Sequence, residues 1–379
     1  MDSRENPSLR HVGLRMTKFE AAQLERAGQR PHPLQLEVLE FGAYSLVIDA
    51  RSPREYAEDH IPGAVNLPVV YDEEFAEVGT RHVTDPHSAY LIGVQYSLHN
   101  IAEHMKSLIT RFGPSDRMLV YCFRGGKRSK LWADNLRTIG YEVDVLRGGW
   151  KNYRRWVIAS LKTLPHSFEY RVLSGSTGAG KTRLLGALSE VGEQVLDLED
   201  MANHRGSLIG EVPGLAQPSQ KTFDTLLLDA MRRLDPERPV WIEAESKKIG
   251  NVQLPDALFE AMHQVSPIKI EAPMRERVRL WREDYAHLAA DPVAMVERLK
   301  PLKPLIGGKE LTTWRELAEK GNVDALFERV MVHHYDPCYV RSTKHSYRSG
   351  EAETIALPSL GHYQLMETAR DLAARYGRL

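Results

Sequence analysis

The hydrophobic positions of this chain alternate between short β-branched runs and longer stretches with a helical period. The short runs predict eight strands, at residues 46–49, 64–67, 118–121, 143–146, 170–174, 194–197, 239–243 and 267–270. Helices are predicted between them, notably over residues 97–112 and 129–139, and the pattern after Met274 is mostly helical. Alternation of this kind is typical of α/β folds built on parallel sheets.

The same pattern divides the chain into three segments. Residues 1–33 form a charged N-terminal extension, residues 34–163 a first α/β domain, and residues 164–379 a second α/β domain with a helical C-terminal part. A total of 379 residues suits two or three domains, each long enough to bury its own core.

Composition and charge narrow the class of protein. With 42% hydrophobic residues, 27% charged residues and no apolar run of about 18 residues, the chain predicts no membrane span and no membrane partner. Its charged start argues against secretion, and its two cysteines are too few for a disulfide framework, so we expect a cytoplasmic protein. The net charge is −1, so any nucleic-acid partner must meet a local basic patch.

Cys122 lies between a predicted strand and a predicted helix, in the loop YCFRGGKRS over residues 121–129. The glycines allow backbone N–H groups to turn inward, and Arg124, Lys127 and Arg128 add positive charge, a setting that favours the thiolate. We predict that Cys122 is a nucleophile and that these three cations are its catalytic partners; the alternative is a structural cysteine beside a glycine turn. Cys338 has no such setting and is predicted to be structural.

A second loop, GSTGAGKT, follows a predicted strand and matches the phosphate-binding pattern G-x-x-x-x-G-K-T in full. Its backbone amides are expected to cradle phosphates, its lysine to neutralise them and its threonine to reach a magnesium ion. The predicted phosphate-binding residues are Gly175, Ser176, Thr177, Gly178, Ala179, Gly180, Lys181 and Thr182.

The sequence indicates a carboxylate ligand for the magnesium ion less clearly than it indicates the phosphate loop. Glu243, at the end of a predicted strand, is the best-placed candidate, and Asp197 and Glu199 compete with it. Mg²⁺ is compatible with the loop, but the sequence predicts no certain metal site, and no bound prosthetic group is expected.

Residues 145–168 contain no acidic residue, while basic residues alternate there with Trp150 and other aromatic residues. Lys151, Arg154 and Arg155 are therefore predicted to bind the phosphates of a nucleic acid. The alternative is an amphipathic helix with buried aromatic residues. Two further basic clusters occur, at residues 247–248 and at residues 275–282, and the second is a candidate lid over the phosphate loop.

The segments DARSPREY (49–56) and HIPGAVNLP (60–68), the cysteine loop and the closing RGGW (147–150) together resemble a rhodanese domain. Arg51 and Glu55, four residues apart at a helix start, are expected to form an ion pair. Five residues separate Cys122 from Arg128, a spacing that resembles rhodanese-like phosphatases and suits a tetrahedral oxyanion.

A rhodanese domain followed by a phosphate-loop domain resembles the tRNA 2-selenouridine synthase family, from about Leu34 onward. The segments ANHRGS (202–207), QPSQK (217–221), EAESKKIG (243–250) and HYDP (334–337) add to this resemblance. It implies a transferase that acts on tRNA with 2-thiouridine at the wobble position. Geranyl diphosphate would first geranylate the sulfur, and selenophosphate would then supply selenium to replace it. Cys122 would either carry the selenium as a perselenide or position the donor.

Three other readings remain open. An ATP-dependent tRNA sulfurtransferase would activate the uridine oxygen at the phosphate loop and deliver persulfide sulfur from Cys122. A non-catalytic tRNA-binding adaptor for sulfur relay would bind ligands at both loops without turnover. A cysteine phosphatase would use the Cys-x5-Arg spacing, although Tyr121 stands where such enzymes commonly have histidine.

Overall fold

The computed structural model describes residues 31–343 and 353–377. The predicted N-terminal extension lies outside these residues except for its last three, where His32 Nδ1 accepts from the Leu34 N–H at 3.0 Å and caps a short 3₁₀ helix, Pro33–Leu36. Within the described ranges, no helix is both long and apolar enough to cross a membrane.

The described chain divides into two compact units. The first runs to Ser160 and also includes Asp224–Arg232. The second comprises Leu161–Phe223 and the residues from Arg233 onward. The sequence pattern assigned the segment Asp224–Arg232 to the second domain. The segment clusters with the first unit instead, because its side chains contact residues of that unit, as described below.

The first unit contains a four-stranded parallel sheet in the order β2-β1-β3-β4. Its strands are β1 Leu46–Asp49, β2 Val65–Asn66, β3 Arg117–Tyr121 and β4 Glu142–Val145. All four were predicted to within two residues. Buried apolar side chains from β1 and β3 form the core with Trp132, because both strands are central and covered on both faces.

The described residues up to Leu161 form five helices: α1 Pro53–Glu58, α2 Asp72–Thr84, α3 Pro86–Ser107, α4 Lys127–Ile139 and α5 Gly149–Leu161. Helix α1 begins with a capping box, in which Ser52 and Glu55 bond to each other's backbone N–H. Helix α3 begins eleven residues before the predicted position 97, because Asp85 and Pro86 start a helix there. Short 3₁₀ turns lie at Phe41–Ala43 and Ile109–Arg111.

The second unit contains a five-stranded parallel sheet in the order β11-β10-β5-β7-β6. Its strands are β5 Tyr170–Ser174, β6 Gln194–Leu196, β7 Val240–Glu243, β10 Ile268–Glu271 and β11 Thr354–Ala356. The first four were predicted. Strand β11 was not, because it has three residues and follows a long helical region. A small antiparallel hairpin pairs β8 Lys248–Ile249 with β9 Val252–Gln253.

The prediction of a mostly helical chain after Met274 is confirmed. Trp281, Trp314 and Phe327 form the core of this helical region. The remaining helices are α6 Lys181–Glu190, α7 Leu198–Met201, α8 Gln220–Arg233, α9 Asp256–His263, α10 Met274–Asp284, α11 Ala286–Ala290, α12 Pro292–Leu299, α13 Lys303–Ile306, α14 Gly308–Glu319, α15 Val323–Val330, α16 Asp336–Thr343 and α17 His362–Tyr376, with 3₁₀ turns at Leu164–Ser167 and Lys300–Leu302 and a π-helix at Met331–Tyr335.

Two candidate anion-binding sites

Cys122 lies at the carboxyl edge of the first sheet, directly after β3, and only 3% of its surface is exposed. The Gly126 N–H points at its sulfur at 3.3 Å, and the Ser129 hydroxyl lies 3.3 Å from the same atom. Burial opposes ionisation, but the bonds from Ser129 and from the Gly126 and Arg124 backbone outweigh it and lower the pKa of the Cys122 thiol. The loop therefore stabilises a thiolate, as its sequence suggested.

The segment RGGW holds this loop in shape. At the start of α5, the Trp150 N–H donates to the Cys122 carbonyl at 2.8 Å and the Lys151 N–H donates to the Phe123 carbonyl at 3.0 Å. Gly149 has a φ of +59°, and a Cβ there would lie 2.1 Å from the Cys122 carbonyl oxygen. Only glycine allows so close an approach, so the first turn of α5 fixes the backbone of the cysteine loop.

The three cations of the cysteine loop have different surroundings. Arg124 and Lys127 are exposed, and the Lys127 ammonium lies 3.8 Å from the Tyr90 ring centroid. Arg128 instead makes a two-pronged ion pair with Glu55, at 2.5 and 3.1 Å. Its charge is matched by Glu55, and the role of Arg128 as a catalytic partner of Cys122 stays a prediction.

The expected ion pair between Arg51 and Glu55 is wrong. Arg51 lies before α1 begins, so the spacing of four does not place it on the helix face beside Glu55. Its guanidinium turns into the core and pairs with Asp49 at 2.6 Å, and it lies 4.9 Å from the Trp150 ring. Glu55 therefore links the start of α1 to Arg128 instead.

Ser129→Ala tests the electrostatics of the thiolate. Because the Ser129 hydroxyl helps to lower the pKa of Cys122, its removal should raise that pKa and move the acidic limb of thiol reactivity to higher pH. The measurement is the rate of Cys122 alkylation against pH, in a Cys338→Ser background so that one thiol is observed. Superimposable pH profiles for the Ser129→Ala variant and its parent would contradict this account.

The phosphate loop joins β5 to α6 and has the strand-loop-helix context that its motif requires. Its glycines adopt positive φ angles, and a Cβ at Gly175 would lie 2.4 Å from the Ile270 carbonyl oxygen. The Lys181 ammonium donates to the Gly175 carbonyl at 3.2 Å, which folds the lysine back over the loop. The structure thus brings the predicted residues 175–182 together as one turn that opens α6.

Arg277 braces this loop from α10. Its side chain is buried, donates to the Thr177 carbonyl at 2.9 Å and pairs with both carboxylate oxygens of Asp336. Arg279 and Arg282, on the same helix, are paired with carboxylates as well. These arginines therefore hold the phosphate loop and the helix in place and do not form the predicted mobile lid. Asp336, in the segment HYDP, contributes by pairing with Arg277.

Three carboxylates meet beside Lys181. Glu243 ends β7, next to the strand that carries the phosphate loop, and its carboxylate lies 4.0 Å from Lys181 Nζ. Glu199, which follows β6, and Glu245 lie with Glu243 so that one oxygen of each falls within 4.8 Å of the others. Asp197, the other predicted competitor, caps α7 through the Asp200 N–H.

Burial and mutual repulsion govern the charges of this cluster. Burial, followed by the Glu243 charge, raises the pKa of Glu245 to about 7. The same two causes hold the pKa of Glu199 well above its usual value, and burial raises the pKa of Glu243. Glu243 Oε1 is buried and has no hydrogen-bond partner within residues 31–343 and 353–377. Oxygen donors of this kind fit a hard divalent cation such as Mg²⁺.

Glu245 was not singled out from the sequence. The available signal was its position two residues beyond Glu243, where a strand end places alternate side chains on the same side.

The phosphate loop and the carboxylates line one cavity of about 630 Å³. Its wall is also partly apolar, through Val212, Leu215, Leu280, Trp281, Tyr285 and Tyr335. Cys338, predicted to be structural, lies in this wall with its sulfur 3.7 Å from His334 Nδ1. The cavity therefore offers a phosphate-binding surface and a hydrophobic surface to the same ligand.

The basic stretch on α5 is divided between core and surface. Arg154 is 7% exposed and pairs with Asp224 of α8 at 2.8 Å, so it is not available to bind tRNA phosphates, and that prediction is wrong. Trp150, Tyr153 and Trp156 are also buried, as in the alternative of an amphipathic helix. Lys151 and Arg155 are exposed, as a helix period leaves them on the outer face.

Neutralising Lys151 and Arg155 together should weaken tRNA binding and flatten its salt dependence. Each lost phosphate contact is expected to lower the log–log slope by roughly 0.7–0.9. The measurement is a salt titration of tRNA affinity for Lys151→Gln/Arg155→Gln. Lys106→Gln/Arg111→Gln removes the same charge from exposed positions on another part of this unit and serves as the control. Equal slopes for the two double variants would rule out a specific contact by α5.

The fold and its two loops define a class: proteins in which a sulfurtransferase-like thiolate domain and a phosphate-loop α/β domain share one chain. Family models agree with both halves. The model described as a rhodanese-like domain matches residues 35–155, and the one described as the tRNA 2-selenouridine synthase AAA domain matches residues 168–302.

Three relatives extend the similarity to most of the chain. The tRNA 2-selenouridine synthase of Nitrosomonas europaea is 33% identical over 70% of this chain and 69% of its own length. Those of Sulfurovum sp. (strain NBC37-1) and Pseudomonas fluorescens are 31% and 30% identical, each over 77% of this chain and 87% of the relative. The chain belongs to the tRNA 2-selenouridine synthase family.

Proposed function

We propose that this protein is a transferase that converts wobble 2-thiouridine in tRNA to 2-selenouridine in two steps, geranylation and selenium insertion. The observation that carries the proposal is the cavity in which a phosphate loop and an apolar wall meet. A prenyl diphosphate needs both surfaces, whereas a phosphate ion needs only the first. The separate Cys122 loop adds a thiolate site for the second step. Family membership supports tRNA as the substrate.

In the first step, geranyl diphosphate lies with its diphosphate on the phosphate loop. The sulfur of 2-thiouridine forms a bond to C1 of the geranyl group, the C1–O bond breaks, and its electron pair leaves with the diphosphate. The uridine N3 proton passes to solvent. Lys181 and the loop amides stabilise the leaving diphosphate.

A magnesium ion would be held by Thr182 and Glu243, which lie at the loop and at the neighbouring strand end. When bound, it would supply further positive charge to the diphosphate. The orphaned, buried Oε1 of Glu243 and the oxygen-only donor set are consistent with such an ion.

In the second step, selenophosphate lies in the cysteine loop, where inward backbone N–H groups, Arg124 and Lys127 stabilise its charge. Selenium forms a bond to C2 of the base, the C2–S bond breaks and geranylthiol leaves, and water breaks the Se–P bond to give phosphate. Alkylation makes this exchange feasible because a thiol departs more readily than sulfide. Cys122 acts as the thiolate that positions the donor, because a perselenide formed from selenophosphate would require a two-electron oxidant that this step does not supply.

Mass spectrometry of the wobble nucleoside tests the whole proposal. The purified protein is incubated with 2-thiouridine tRNA and with geranyl diphosphate, selenophosphate, or both. We expect geranylated 2-thiouridine with geranyl diphosphate alone, no product with selenophosphate alone, and 2-selenouridine with both compounds. Selenium insertion without a prenyl donor would overturn the two-step order, and a product that requires ATP would favour the sulfurtransferase reading.

A further inference from the structure

Two buried hydrogen-bond donors in the wall of the phosphate-loop cavity have no partner among the described residues. One is Nη1 of Arg205, and the other is the hydroxyl of Tyr335, whose side chain is 8% exposed. The Ser207 hydroxyl lies 3.4 Å from the hydroxyl of Tyr285, the other tyrosine in this wall, and it also interacts with the Tyr335 hydroxyl, but without hydrogen-bond geometry. Folded proteins rarely leave buried donors unpaired, so two of them in one cavity point to a ligand with acceptor atoms.

Arg205 projects from a tightly held turn. The Arg205 backbone N–H donates to the Gly210 carbonyl at 2.8 Å. The next residue, Gly206, has a φ of +62°, and a Cβ added there would lie 2.8 Å from Glu199 Oε1. The Arg205 guanidinium lies 5.0 Å from the Tyr285 ring centroid. Packing against an aromatic ring fixes the guanidinium and leaves its N–H edge available for an anion.

Two other arginines near the phosphate loop have their charges matched. Arg183 pairs with Glu283 and Asp284, and Arg277 pairs with Asp336. Of these three arginines, Arg205 alone has a guanidinium nitrogen that is buried without a partner in the part of the chain that the structure describes. The cavity thus contains an oriented cation with one buried N–H group, at Nη1, that no described residue uses.

We propose that Arg205 and Tyr335 bind the diphosphate of the prenyl donor together with the phosphate loop, and that Arg205 stabilises the charge that develops as the C1–O bond breaks. The inference rests on the proposed function and extends it to residues outside the phosphate-loop motif. As the sulfur–carbon bond forms and the C1–O bond breaks, the electron pair moves onto the diphosphate oxygen. A fixed guanidinium is most stabilising at that stage, when this oxygen carries the most charge.

The first test is geranylation kinetics. Arg205→Gln should lower kcat by about 100- to 1,000-fold, in the range observed for loss of one transition-state donor, with little change in the KM for tRNA. Tyr335→Phe should cause a smaller loss in the same direction. For the smaller variant Arg205→Ala, added guanidinium ion should restore part of the rate, which a purely structural role would not allow. Arg282→Gln, which changes an exposed arginine of α10, is the matched control.

The second test separates this inference from the proposed function. Calorimetry measures the binding of inorganic pyrophosphate to the parent, to Arg205→Gln and to Arg282→Gln, whose folding is compared by thermal melting. Weaker pyrophosphate binding by Arg205→Gln alone supports the inference even if the parent transfers no geranyl group, a result that would refute the proposed function. Parental pyrophosphate affinity together with a parental kcat in Arg205→Gln would overturn the inference.

Discussion

Cys122→Ser is expected to abolish selenium insertion, with a loss of roughly a thousandfold or more, the scale seen when one member of a catalytic unit is removed. Although burial opposes ionisation, the bonds from Ser129 and from backbone N–H groups of the loop lower the pKa of the Cys122 thiol. A serine hydroxyl stays protonated near neutral pH, so the same bonds cannot make it an equivalent anion. The variant should therefore keep the conformation of the loop and lose the thiolate.

Geranylation by Cys122→Ser should persist, because the phosphate loop belongs to the other compact unit. The assay supplies tRNA that is already geranylated, adds selenophosphate, and follows the wobble nucleoside by mass spectrometry. Cys338→Ser changes the second cysteine, leaves the Cys122 loop intact and is the matched control. A parental rate of selenium insertion by Cys122→Ser would refute the thiolate role.

The order of strands along the chain could be predicted because β-branched runs bounded by turn residues carry a local signal. Eight strands are confirmed in this way, whereas β11 is too short to give one. The phosphate loop was equally predictable, since Gly175 and Gly180 occupy positions whose φ angles are positive. In both cases the sequence within a few residues determines the local structure.

The partners of charged side chains could not be predicted, because they depend on contacts between distant segments. Arg154 is a clear case: its partner Asp224 lies 70 residues away, and burial of the pair removed Arg154 from the predicted tRNA surface. Arg128 and Glu55 are 73 residues apart, and their pairing displaced the expected bond between Glu55 and Arg51. Neither hydrophobic period nor local spacing contains this information.

The carboxylate cluster illustrates the same limit within one sheet. Glu199 follows β6 and Glu243 ends β7, and these strands become neighbours only in the folded sheet. Because parallel strands present their carboxyl ends at one edge, residues that are distant in sequence meet beside Lys181. A sequence that predicts the strands, but not their order in the sheet, can therefore nominate Glu199 and Glu243 separately and still miss the group that they form with Glu245.

Lys181→Ala is expected to abolish geranylation of 2-thiouridine tRNA, with a loss of about 100- to 1,000-fold or more, because the variant removes the cation that stabilises the leaving diphosphate. The loss should be aggravated by Glu243, whose carboxylate lies 4.0 Å from the Lys181 ammonium and would then repel the diphosphate. Selenium insertion into tRNA supplied already geranylated should remain near the parental rate, since that step requires the Cys122 loop.

Both half-reactions are run with Lys181→Ala, with Lys320→Ala as an exposed lysine control, and with the parent in the presence and absence of ATP. We expect the parent to geranylate without ATP, because backbone amides and Lys181 recognise phosphate groups and do not require a nucleobase. Normal geranylation by Lys181→Ala would remove the phosphate loop from this step. A strict ATP requirement in the parent would instead mean that the loop binds a nucleotide, and the apolar wall of the cavity would then need another ligand.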